Sequence, residues 1–344
     1  MAEVKNKILK AAVIGCGRIG AFTAHKRGDD LLKRNFPINH CAAIRAVSGI
    51  KLIAVCDANL KSASKAAKLH GVKNVYTDYK KMIVEQLPNI IAIATRTAGR
   101  AEMISFVANH GVMGLHIEKP IATNLRDTQV ALEAIKKNKV AISYGTVRRY
   151  MPVFRQAKQM LQSGKFGKLK EVIIDITKSQ LLWSHPHCVD LINYFADNAP
   201  VDHVESSYKF EKKGISVDKI DMDPVLDFGL IKYKNGVQGI IIDTNKQYVK
   251  LICEKGEIII DINGKYLKNK DGKGVIRKIK IKEGSSGRCT AIAELRDKIN
   301  KNKPTSLTSD DILQEQKILL ALGLAGITGK MVKLSEIKDD FTIT

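Results

Sequence analysis

Short apolar runs alternate with amphipathic stretches through the first half of the chain. Residues 9–15, 50–56, 90–94, 114–118 and 140–144 read as buried strands, each a near-continuous run of Ile, Val, Leu and Ala. Between them, residues 60–70, 79–86, 100–110 and 124–137 repeat apolar positions with helical spacing. Strands separated by helices of this length predict βαβ units and a parallel sheet.

The rhythm changes after about residue 147. Residues 153–164 read as a helix closed by Gly164, 170–177 as a strand and 188–195 as a helix. Strand patterns then follow closely at 203–210, 227–234, 236–244, 248–254 and 257–262. Residues 265–282 read as two more strands around the turn Asp271-Gly272, with Lys278, Lys280 and Lys282 on a solvated face. Such short connections predict a mixed or antiparallel sheet. Helices at 290–300 and 310–324, the second capped by Ser309, close the chain.

Charge adds one alternative. The chain carries 57 basic and 35 acidic side chains, a net +22. A nucleic-acid partner is nevertheless not expected, because the lysines are spread along the whole chain and are not interleaved with aromatics. No run approaches eighteen apolar residues, so no membrane span is expected, and the charged first ten residues lack a signal-peptide core. The six cysteines show no CxxC pair or metal-ligand spacing. They read as reduced thiols of a cytoplasmic protein, with no metal site.

Chemistry enters at Gly15-Cys16-Gly17-Arg18-Ile19-Gly20, a GxGxxG pattern directly after a strand. In that context Gly15 permits a tight turn, Gly17 lets backbone amides approach a pyrophosphate, and Gly20 lets a helix pack close. Asp57, closing the second strand, suits a ribose 2′-hydroxyl and favours NAD, with NADP possible. It lies 42 positions after Gly15, where about twenty is usual. The excess falls in residues 21–39, read as an insertion that is either a lid or a surface elaboration.

Glu118-Lys119-Pro120 after one strand, Arg148-Arg149-Tyr150 after the next, and His187-Cys188-Val189-Asp190 before an apolar helix complete the pattern. With GCGRIG and VCD, this order resembles the Gfo/Idh/MocA family, glucose–fructose oxidoreductase, inositol dehydrogenase and relatives, over essentially the whole chain. The resemblance implies an α/β N-terminal Rossmann domain, 1–147, with a doubly wound parallel sheet. It also implies an α+β substrate and oligomerisation domain, 148–344, with an open, largely antiparallel sheet. The C-terminal helices could pack back on the first domain.

The implied activity is hydride transfer between nicotinamide and a secondary alcohol or ketone of a sugar, cyclitol, amino sugar or nucleotide sugar, in a homodimer or homotetramer. Lys119 would hold the substrate oxygen, and His187, or His185, would handle the proton. Relatives often have the Lys-Pro bond in cis. Arg18, Ile19, Thr95, Arg96, Glu118 and Lys119 join the glycines and Asp57 as expected cofactor contacts. Arg148, Arg149, Lys178, Trp183 and Asp190 are expected substrate contacts, with Gln180 a further candidate.

Two departures stand out. Relatives usually carry an acid four residues before the histidine, where this chain has Trp183, either a stacking wall for a sugar ring or a core residue. Relatives also show a TPxxxH-like segment where this chain reads Thr95-Arg96-Thr97-Ala98-Gly99-Arg100. There Arg96 and Arg100 either bind an anion or solvate a helix start. The departures leave open a regulatory NAD-binding protein with altered catalysis, or a reductase of a non-sugar acceptor.

Overall fold

The computed structural model describes residues 8–23, 37–208, 216 and 218–344. Most of the expected insertion, 24–36, therefore lies outside the described residues. The chain divides into two compact units. The first comprises the described residues of Met1–Ala122, Asp127–Tyr150 and Ser285–Ile312; the second comprises those of Thr123–Arg126, Met151–Gly284 and Leu313–Thr344.

The first unit runs β1 (Leu9–Ile14), α1 (His40–Ala46), β2 (Ile50–Cys56), α2 (Leu60–His70), β3 (Asn74–Tyr76), α3 (Tyr79–Gln86), β4 (Ile90–Ile93), α4 (Arg100–Ala108), β5 (Gly114–Ile117), α5 (Leu125–Lys137) and β6 (Ala141–Tyr144). Its six strands are all parallel, in the order β3-β2-β1-β4-β5-β6. This is the doubly wound order, whose ligands bind beyond the strands' C-terminal ends where the order reverses. Strands β4 and β5 are buried at every position, as apolar runs covered on both faces must be.

The second unit opens with α6 (Pro152–Gln162), β7 (Leu169–Asp175), α7 (Leu181–Ser184) and α8 (Pro186–Phe195). It continues through β8 (Val201–Tyr208), β9 (Lys219–Ile220), β10 (Leu226–Tyr233), β11 (Gln238–Ile242), β12 (Tyr248–Cys253), β13 (Gly256–Asp261), β14 (Leu267–Asp271) and β15 (Ile276–Ile279). Eight of these strands form an open sheet ordered β15-β14-β13-β12-β7-β11-β10-β8, antiparallel except for β11 beside β7. Burial alternates along β12, fully buried at Val249, Leu251 and Cys253 and half-buried between them. That period of two marks a sheet with only one face on the core.

The chain then re-enters the first unit with α9 (Gly287–Lys301), whose Cys289, Ile292 and Leu295 join Val13, Ile44 and Val55 in that unit's core. It ends with α10 (Ser309–Thr328) and β16 (Thr342–Ile343), which pairs with β9. No helix among the described residues is long and apolar enough to cross a membrane. Lys278, Lys280 and Lys282 are exposed. All six cysteines are buried and unbridged.

Candidate active site

The expected cofactor residues gather at the C-terminal edge of the parallel sheet. Gly15 leaves β1 with φ +95°, and a Cβ there would stand 2.7 Å from the Ala94 carbonyl carbon and oxygen. A Cβ on Gly20 would meet the Gly15 carbonyl oxygen at 1.9 Å. Glycine is thus required at both positions, the first by conformation and the second by space. Gly17 faces open space and is exposed, as is Arg18; Ile19 is half-buried. The described helical segment after the turn is short, Arg18–Phe22.

Asp57 continues β2, and its amide donates to the Tyr76 carbonyl. Its carboxylate fastens the glycine turn, accepting from the Cys16 amide at 2.7 Å through Oδ2 and from the Asn59 amide at 2.9 Å through Oδ1. Each oxygen retains a second lone pair for a hydroxyl. The adjacent Cys16 thiol is pushed up to about 12, chiefly by burial and then by the Asp57 charge, so no thiolate stands in the turn at neutral pH.

Thr95 follows β4, and its hydroxyl oxygen is buried without a hydrogen-bond partner. An orphaned hydroxyl at the switch point, on the segment that Gly15 packs against, is what a dinucleotide site presents. Arg96 is exposed. Arg100 is not: it is 2% exposed, and its guanidinium donates to the carbonyls of Glu118 at 2.7 Å, of Pro120 and of Thr95. It is a backbone clamp, which corrects the expectation of an anion-binding or solvated side chain.

Beyond β5 come Glu118, buried, and Lys119, half-buried, with the Lys119–Pro120 peptide in cis. Glu118 is turned into the unit rather than toward a cofactor. Its Oε1 lies 2.7 Å from Arg288 Nη2 and 3.0 Å from His40 Nε2. Burial alone would raise this carboxyl, but Arg288 and then the His40 hydrogen bond hold it well below the usual range. Of the arginine pair after β6, Arg148 is half-buried. Arg149 is sealed in, with Nη1 donating to the Ser306 carbonyl at 3.0 Å. An internal role fits Arg149 better than the expected substrate contact.

The other candidates lie in the second unit. Gln180, Leu182 and Trp183 are tied to one loop: Gln180 bridges Val225, and Asp223 accepts from the amides of Leu182 and Trp183 at 2.7 and 2.9 Å. Trp183 is 62% exposed, which rules out the core reading. Pro186 opens α8 at a first-turn position that tolerates proline. His187 and Asp190 follow three residues apart and so share a helix face. His187 is half-buried and Asp190 fully buried.

His185, expected as an alternative acid–base, instead joins α7 to α8. It is 1% exposed, its Nδ1–H donates to the Gln180 carbonyl at 3.0 Å, and burial lowers its basicity. Lys178 pairs with Asp227 at 2.7 Å. Among the described residues no three His, Cys, Asp or Glu side chains are grouped to hold a metal. Sequence reasoning missed the buried partners His40, His116 and Arg288. Only His116, a polar residue inside the apolar run of β5, left a trace in the pattern.

The model of an oxidoreductase family with an NAD-binding Rossmann fold, GFO_IDH_MocA, matches residues 9–146. Oxidoreductase P35 of Formosa agariphila is 27% identical over 205 residues, which cover 54% of this chain and 62% of that protein. The scyllo-inositol 2-dehydrogenase (NAD(+)) of Bacillus subtilis is 26% identical over 160 residues, covering 46% and 42%. The chain thus spans about half the length of the curated relatives it matches. An oxidoreductase from Agrobacterium radiobacter, crystallised with NAD+, L-tartaric acid and magnesium, shares the fold. Its TM-score is 0.76 at 15% identity, covering 96% of this chain and 99% of that one.

Proposed function

We propose, because residues 9–146 match the Gfo/Idh/MocA oxidoreductase model, that this chain catalyses NAD(P)-dependent interconversion of a CH–OH group and a ketone on a sugar, cyclitol, amino sugar or nucleotide sugar. The observation that carries this reading is the edge of the parallel sheet. A glycine turn held by Asp57, an unpartnered Thr95 hydroxyl and Lys119 stand there at the ends of β1, β2, β4 and β5. When bound, the nicotinamide accepts or donates the hydride.

The remaining work belongs to side chains of this chain. The open backbone at Gly17 lets a pyrophosphate approach, with Arg18 beside it, and the free lone pairs of Asp57 accept from ribose hydroxyls. That acceptor favours NAD, because a 2′-phosphate would meet a carboxylate. Lys119 donates to the reacting oxygen and stabilises negative charge as the hydroxyl proton leaves. His187 takes that proton, Asp190 orients it from the same helix face, and Lys178 and Trp183 contact the polyol. A cytoplasmic homo-oligomer completes the proposal.

The test begins with calorimetric titration of NAD and NADP into the full chain, followed by turnover of a panel of sugars and cyclitols read from reduced-nicotinamide absorbance. NAD binding at least tenfold tighter than NADP (about 1.4 kcal/mol) together with turnover of one panel member is expected. Binding of neither coenzyme would overturn the reading.

A further inference from the structure

Beneath Lys119, inside the first unit, lies a polar cluster that the proposed chemistry does not use. His40, Arg100, His116, Glu118, Ser143 and Arg288 are each no more than 6% exposed. Arg288, from the first turn of α9, reaches three of them. Its Nη2 is 2.7 Å from Glu118 Oε1, and its Nη1 is 2.7 Å from His116 Nε2 and 2.9 Å from His40 Nε2. Since His116 Nε2 accepts from a guanidinium, its Nδ1–H donates to the Ser143 hydroxyl, 2.8 Å away.

A buried ion pair is weak evidence of a stabilising role, because taking both charges out of water offsets most of their attraction. Geometric specification is the better-supported use, and here the geometry has an object. Residue 118 is held by its carboxylate through Arg288 and by its carbonyl through Arg100; the Pro120 carbonyl is held by the same Arg100. Gly145, at the exit of β6, closes the remaining side. A Cβ there would lie 2.8 Å from Glu118 Oε2 and 3.0 Å from the Lys119 amide nitrogen. The backbone on both sides of Lys119 is therefore fixed from α4, α9 and the neighbouring strand.

We propose that Arg288 is a positioning residue for Lys119: by fixing the Glu118 carboxylate it sets the Lys119 backbone at the sheet edge. The proposal rests on the reading of Lys119 as the group that meets the reacting oxygen. Misplacing a reacting group by about an ångström can cost about a hundredfold in rate. An arginine is needed because one planar fork must donate to the Glu118 carboxylate and the His116 imidazole together, which a lysine ammonium cannot do.

The test uses the full chain with Arg288→Met, Arg288→Lys and the near-isosteric Glu118→Gln, each alone and combined with Lys119→Ala. Arg288→Met is expected to lower kcat by about a hundredfold while NAD affinity stays within about twofold. In the Lys119→Ala background it should cost no further loss. Amide hydrogen exchange over residues 115–123 should accelerate in Arg288→Met and Glu118→Gln. Should Arg288→Met fail to fold, Arg288→Lys and Glu118→Gln carry the same readouts.

Unchanged kcat with unchanged exchange, or losses that multiply with that of Lys119→Ala, would overturn the proposal. Wild-type turnover by Lys119→Ala alone would instead remove the reading of Lys119 as a reacting group. The exchange data would then still decide whether Arg288 sets that backbone.

Discussion

Lys119 and His187 are proposed for the same reaction, yet their units fix them by opposite means. Around Lys119, buried charge grips the backbone: Arg100 holds three carbonyls and Arg288 holds the preceding carboxylate. Around His187 the support is apolar. Leu181, Leu182, Cys188, Val189 and Leu191 are buried in the second unit's core, and the polar contacts before the helix include two amides on Asp223 and His185 on the Gln180 carbonyl. A strand end has few neighbours to pack against, so ionic contacts specify it; a helix is located by its apolar face.

The largest expected effect tests the two chemical roles directly. Lys119→Ala should lower kcat by about a thousandfold, as loss of a preorganised charge donor does, and leave NAD affinity near wild type. His187→Ala should cost about a hundredfold, within the usual range for a general acid–base. His185→Ala separates role from neighbourhood. Its imidazole is buried on the Gln180 carbonyl, so it should lower stability by about 2 kcal/mol and leave kcat within about threefold. Steady-state kinetics and urea melts check all three, and a hundredfold kcat loss in His185→Ala would exchange the two histidines.

What was legible in the sequence follows the same division. The helix α2 matches its predicted span because Asn59 caps its start, accepting from the Ser62 amide, and Gly71 ends it at φ +67°. Those are local signals. The short strand β3 was missed because Asn74–Tyr76 offers three residues and no apolar run. The helix α1 was missed beside the segment read as an insertion, although Asn39 caps it through the Ala42 amide.

Among the proposed site residues, the glycine turn, Asp57, Lys119 and the His187/Asp190 spacing could be picked out as candidates because each is a short pattern at an element end. The cluster under Lys119 was not. Arg288 stands 248 residues from His40 in sequence, inside an unremarkable helix start, and only the fold brings the two within 2.9 Å. The inward orientations of Glu118, Arg149 and His185 were hidden for the same reason: residue type declares chemistry, but burial declares direction.

Stability should also depend on pH through the buried imidazoles beneath Lys119. His40 is held down to about 4, chiefly by burial and next by Arg288, and His116 lies well below its ordinary value for the same first reason. Both are neutral in the fold at neutral pH. As pH falls from about 6.5 toward about 4, the unfolded chain takes up protons that the folded chain refuses. The stabilisation present above that window should be lost across it, by a few kcal/mol. Urea melts from pH 7 to pH 4 measure the slope. His40→Gln, which retains an N–H for Glu118, should flatten it in part because His116 remains. A slope unchanged by that substitution would place the pH dependence elsewhere, for instance among the carboxylates.

The smallest expected stability effect falls at Trp183, where the comparison is sharpest. A side chain 62% exposed contributes little to folding, so Trp183→Ala should change stability by no more than about 0.5 kcal/mol. Lys119→Ala should be similarly mild for the fold, since the clamps act on its backbone. If Trp183 is a ring-stacking surface, its loss should raise KM for the sugar by about tenfold while kcat changes less. Stacking on an aromatic face contributes about 0.5–1.5 kcal/mol to binding beyond buried area. A fall in kcat at constant KM would instead mean that Trp183 acts on the reacting geometry. The exposed rim of the second unit would then be as much a part of catalysis as the clamped strand end of the first.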